Sequence, residues 1–177
     1  MMLYPMGNHI IGPHSASEVS KQLAREDVPM YIEPYRSYRC WQVLVEENPV
    51  TLKSISYSTK WPAREAFHAT CMTQVYRGFS ATEPIGHDTP SLHHVCGIYS
   101  VKEGVKDRLE EWCRNKKHVV YGVVLVWGKV LEFEEGYLSE YAYPLEFYDH
   151  AGGWDYEPVE VMRELARIYG CAMDIAS

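Results

Sequence analysis

A chain of 177 residues that is 46% hydrophobic and 13% aromatic is long enough to bury one core and too apolar to stay disordered. Its formal net charge of −7 and pI near 5.6 argue against a phosphate-binding surface spread over the whole protein, so nucleic acid is not the expected partner. The five cysteines, Cys40, Cys71, Cys96, Cys113 and Cys171, are odd in number and scattered, which suits a reducing cytoplasm better than a secreted disulfide framework.

Residues 1–14 carry Pro5, Gly7, Gly12 and Pro13 and read as a flexible N-terminal arm without the basic and apolar regions of a signal peptide. Residues 15–177 read as a single α+β domain. It begins with a short helix capped by Ser15-x-x-Glu18, with Val19 and Leu23 as its apolar stripe, ending near Asp27. Residues 38–46 and 50–57 are expected to form a hairpin. Cys40, Gln42 and Leu44 share one face of its first strand, and Trp41, Val43 and Val45 the other. A strand over 66–71 leads into a Gly-, Pro- and Thr-rich loop, and a strand over 96–101 follows it.

The spacing of Val105, Leu109, Trp112 and Cys113 predicts a helix over 103–116, with Lys106–Glu110 and Glu110–Arg114 as surface ion pairs. Residues 119–127 are continuous and β-branched, as a central strand buried on both faces should be. At nine residues this run is too short to cross a bilayer, which takes ~20, so no membrane is expected. Gly128 marks a bend or bulge, 129–134 continues the strand, and 141–148 forms another with Pro144 at an edge or irregularity. A last helix runs over 158–169 with Gly170 as its stop. Together these give a bent, mainly antiparallel sheet or partial barrel with two longer helices and a short N-terminal helix.

The sharpest chemistry lies in residues 71–96. Cys71, His87, His94 and Cys96 have the donor types of a tetrahedral zinc site. His94 and Cys96 fall on one face if the strand includes Val95, and Gly86 and Pro90 can fold His87 back toward them. A structural zinc would also organise a loop otherwise too long for a compact domain. Two other readings stay open. These are unrelated buried cysteines and loop histidines, or Cys96 is a thiolate nucleophile with His94 or His87 as its base.

The centre of the chain, Cys71, His87-x-x-Pro90 and Cys96-Gly97-Ile98-Tyr99, is followed by Trp127-Gly128 and by Gly136-Tyr137-x-x-Glu140-x-Ala142-Tyr143-Pro144. It resembles a group of uncharacterised actinobacterial and actinophage proteins whose centre reads Cys, His-x-Ala-Pro, Cys-x-Cys-Gly-Ile-Tyr. The likeness spans about the middle and C-terminal two-thirds of the chain and brings no activity with it. It implies a bacterial cell or phage-infected host. His94 stands where the group has the first cysteine of the Cys-x-Cys pair, and Thr89 where it has alanine. Histidine replaces cysteine as a zinc donor but not in a disulfide, so the departure favours metal over a redox pair.

Residues 132–148 concentrate glutamate and tyrosine, and Glu132, Glu134, Glu135, Tyr137, Glu140 and Tyr141 form a candidate partner surface. No phosphate loop, His-Glu-x-x-His helix or nucleophile elbow is present. The expectation is a non-enzymatic, zinc-stabilised binding protein with a protein partner. The alternative is an enzyme, either a cysteine hydrolase using Cys96 or a nucleotide-handling transferase using Glu135 or Glu140 as acid and base, with the tyrosines as a stacking surface.

Overall fold

The computed structural model describes residues 31–56, 59–71, 88–91, 96–114, 116–148 and 158–174. The expected N-terminal arm and short helix, and the candidate ligands His87 and His94, lie outside these residues. All seven described strands join one sheet. They are β1 (Tyr31–Leu44), β2 (Thr51–Lys53), β3 (Phe67–His68), β4 (Ile98–Val101), β5 (Val119–Glu132), β6 (Gly136–Tyr148) and β7 (Ala172–Asp174). Two helices, α1 (Lys106–Arg114) and α2 (Pro158–Tyr169), lie between them in sequence, and a short 3-10 turn, Glu103–Val105, leads into α1.

The valine-rich β5 is the centre. It pairs antiparallel with β1 from Tyr35↔Val126 to Gln42↔Val119, and with β6 from Tyr121↔Tyr148 to Glu132↔Tyr137. Each end of the β5–β6 ladder is bent by an irregularity. The register slips between Val123 and Val124, so that Leu145 beside Pro144 has no opposite number. It slips again between Trp127 and Val130, where Gly128 takes φ +77°, a conformation that favours glycine. The bending brings β4, which pairs with β6 along its length, against β1 at the single rung Tyr38↔Val101. One rung does not make a ladder, so the sheet is strongly bent without closing as a barrel. It is also mixed, because β7 runs parallel to β6.

Alternation along the strands divides the apolar residues between two faces. Trp41, Val43, Val120, Val124, Val126, Ala142 and Phe147 pack with Leu52 and Trp61 beneath Met162, Leu165 and Tyr169 of α2. Trp41 meets Trp61 and Phe147 edge to face, at 5.5 and 5.8 Å. On the opposite face Cys40, Val101, Val119 and Tyr121 pack against Leu109 and Cys113 of α1. The division of Cys40 from Trp41 and Val43 is the one that strand alternation predicts.

Several expectations need correction. The strand expected over 66–71 is only Phe67–His68, with one further backbone bond in the same register from Ala69 to Glu140. The strand expected from Cys96 begins at Ile98: Gly97 at φ +138° breaks the extended run, and Cys96 forms an isolated bridge with Ser91 instead. Lys106 acts on Glu110 through charge alone and makes its close contact elsewhere. Its ammonium lies 4.0 Å from Glu103 and 5.2 Å from the rings of both Tyr38 and Tyr148, which fastens the start of α1 to the sheet. Glu110 pairs with Arg114 as expected, at 2.6 Å.

Gly122 offers a direct test of the central ladder. A Cβ there would come within 1.9 Å of the Glu146 carbonyl oxygen, a backbone atom that cannot yield without breaking β5 from β6. Gly122→Ala is expected to cost several kcal/mol, about the upper end of single-residue effects, read as a large fall in the denaturant midpoint.

Candidate functional site

The two described members of the expected metal site are brought together. Beyond β3, the Ala69 N–H donates to the Glu140 carbonyl at 2.8 Å, and the Ala69 carbonyl accepts from Thr89 Oγ1 at 2.7 Å. Thr89 is buried, so the loop around it is stitched to the end of β3. Ser91 and Cys96 then exchange backbone hydrogen bonds of 3.3 and 3.2 Å. These two anchors place the thiol of Cys96 in hydrogen-bonding contact with that of Cys71, and both residues are buried. Burial first, offset in part by a backbone hydrogen bond at Ser91 and reinforced by Cys71, holds the Cys96 thiol above its ordinary range.

Two adjacent soft donors fit two corners of a tetrahedral zinc. His87 adjoins Asp88 in sequence and His94 lies two residues before Cys96. Among the described residues no group of three or more His, Cys, Asp or Glu side chains converges. A second buried thiol pair, Cys40 on β1 and Cys113 on α1, was not anticipated. Its hydrogen bond, followed by burial, drives Cys113 strongly upward, and its place in the α1 core marks it as packing.

The candidate surface over 132–141 separates into two places. At one, Glu132 pairs with Lys102 at 2.6 Å, and Glu135 takes a two-pronged bond from Arg108 at 2.9 and 3.0 Å. Tyr137 lies between, stacked on Tyr35 at 5.3 Å and under the Lys102 ammonium, while Glu134 is exposed. At the other, Glu140 Oε2 accepts from the Lys129 N–H at 3.0 Å in the β5 bulge, and Glu140 Oε1 lies 3.7 Å from His68 Nε2. About 13 Å of strand separates Gly136 from Glu140. Glu135 and Glu140 therefore serve different partners and do not form the acid–base pair of the transferase alternative.

Tyr141 belongs to a feature the sequence did not reveal. Its ring stacks on His68 at 4.7 Å and on Trp127 at 5.9 Å, because β3, β6 and β5 are neighbours in a register that sets the three residues side by side. Both faces of Tyr141 are thus occupied, and the row turns ring edges outward, which does not suit a base stacking on the tyrosine. Glu140, acting first through its charge, raises the Tyr141 hydroxyl above its usual range. The row lies on the sheet face that α1 covers elsewhere, six residues along β5 from Tyr121. Cross-strand register alone carries this signal, and no local pattern in 66–68, 127 or 141 contains it.

Comparison with known proteins adds no relative: no family model, no curated protein and no solved structure matches the chain.

The thiolate is the nucleophilic form of cysteine. With its thiol held above the ordinary range, Cys96 in protein stripped of metal should alkylate with iodoacetamide at pH 7 more slowly than cysteine in an unstructured peptide, and the rate should climb only at more alkaline pH. Mass-resolved labelling across a pH series measures this.

Proposed function

We propose that this protein is a non-enzymatic binding protein of the actinobacterial or actinophage type, stabilised by a structural zinc and acting through contact with a protein partner. The observation that carries the binding role is the row His68–Tyr141–Trp127. Three ring systems lie in register across adjacent strands, flanked by the carboxylate of Glu140 and by Lys129. Amphipathic rings held rigid by stacking bury large area at little entropic cost, which suits a protein interface. The hydrolase alternative needs a thiolate free to attack, whereas burial raises the Cys96 thiol when no metal is bound and a closed zinc site would hold the thiolate as a ligand.

For the metal, Cys71 and Cys96 with His87 and His94 supply the four donors of a closed structural site, whose binding energy is folding energy. Such a site ties 71 to 96 and so fixes the end of β3, on which His68 sits. The zinc and the interface are in this way one design.

Native mass spectrometry of protein purified without an affinity metal should find one zinc per chain. Cys71→Ser and Cys96→Ser should each lose it with a fall in melting temperature, while a wild type that carries no metal as purified, and whose melting neither added zinc nor either substitution changes, would remove zinc from the reading. Trp127→Ser with Tyr141→Ser should leave melting within the range of ordinary surface changes, about ±0.5 kcal/mol per site. The same double variant should abolish cross-linking to a defined partner from the host cell. Undiminished cross-linking would place the interface elsewhere.

A further inference from the structure

Three buried polar side-chain atoms on the α2 side of the sheet, Arg39 Nε, Trp41 Nε1 and Ser100 Oγ, have no hydrogen-bond partner among the described residues. They belong to one patch. Arg39 and Trp41 are two apart on β1 and therefore share a face. The antiparallel rung Tyr38↔Val101 puts Ser100 opposite Arg39 at the next step, where opposed residues project to the same side. The Arg39 guanidinium lies 5.3 Å from the centre of the Trp61 ring, and Trp41 meets that same ring edge to face.

The charge at this patch is also unbalanced. Arg39 Nη1 donates to the Tyr99 carbonyl, but among the described residues no carboxylate pairs with it, and its only charge neighbour is the Cys40 thiol. Enclosure lowers its pKa to about 10, which still leaves it cationic at neutral pH. A cation taken out of water without a counter-charge is costly. Guanidinium and indole can only donate, so what the patch lacks is an acceptor that also carries negative charge. With Nη1 turned to Tyr99, the Nε side of the guanidinium remains, and from that side arginine grips a carboxylate or phosphate with two parallel bonds. Arg39 as a whole is partly exposed, so the site is open to solvent at one side.

We propose that Arg39, with the Trp41 indole N–H and the Ser100 hydroxyl, forms an oxyanion site that takes the carboxylate or phosphate group of a small molecule. It lies on the sheet face opposite the His68–Tyr141–Trp127 row and stands or falls independently of it. A buried water would satisfy the donors but leave the charge of Arg39 unanswered.

The test titrates the full chain with sodium phosphate and, separately, sodium acetate, at ionic strength held constant with sodium chloride. Melting temperature and the fluorescence of the buried tryptophans are followed. A saturable response to either oxyanion, absent in Arg39→Met, is the expected result. Ser100→Ala and Trp41→Phe, which each remove one donor, should weaken the affinity about three- to tenfold. Tighter binding of phosphate than of acetate, or the reverse, identifies which group the site takes. A response to oxyanion no greater than to chloride, as a water-filled site would give, overturns the proposal, and so does an unchanged response in Arg39→Met. Should Arg39→Met fail to fold, Ser100→Ala decides, and unaltered affinity there overturns it.

Discussion

The burial of β5 constrains everything else. A strand whose residues from Val119 to Val124 are all buried must satisfy its peptide groups within the protein, since a buried N–H or C=O left unpaired costs as much as a lost hydrogen bond. It does so by holding β1 on one side and β6 on the other. Every other strand attaches through those two: β2 and β4 to β1, and β3, β4 and β7 to β6. The helices occupy the faces that this frame leaves apolar. Because the ladder bends at Leu145 and at Gly128, its two ends face different surroundings: the Tyr121–Tyr148 end lies under α1, and the Trp127–Tyr141 end lies beyond it.

What could be read from sequence follows the strength of local patterns. The run 119–127 was legible because continuous β-branched residues admit few other fates, and the expected 158–169 matches α2 because amphipathic spacing ends in a glycine at φ +67°. Less legible were elements defined by their partners. β7 has one half-buried residue, Met173, between two exposed ones, and although Met173 packs on the core, three residues are too few to leave a hydrophobic period. The early part of β1 contains Pro34, which argues against a strand interior. The structure accommodates it at the irregularity between Tyr31 and Tyr35, where no rung is required.

The candidate sites divide along the same line. Cys71 and Cys96 were legible as a pair because donor type and loop spacing are properties of the sequence, and their thiols do meet. Glu135 and Glu140 are close in sequence, yet extended chain carries them apart and Arg108 claims the first. Arg39 escaped notice for a different reason. In Tyr-Arg-Cys-Trp, alternation puts arginine on the same side as Trp41 and Val43, the side that proves to be core, and an arginine is ordinarily assigned to solvent. The departure from local consistency is where the fold holds a charge that no carboxylate among the described residues answers.

The strict alternation at the far end of the sheet has an evolutionary consequence. Phe67, Ala142 and Val126 point into the α2 core, and their immediate neighbours His68, Tyr141 and Trp127 point away from it. The outward row can therefore be rewritten, ring by ring, by substitutions that never touch the packing beneath, while the pairing of β3, β6 and β5 keeps any replacements in line. Those three positions are therefore free to vary without cost to the core. Their inward neighbours remain held by the core.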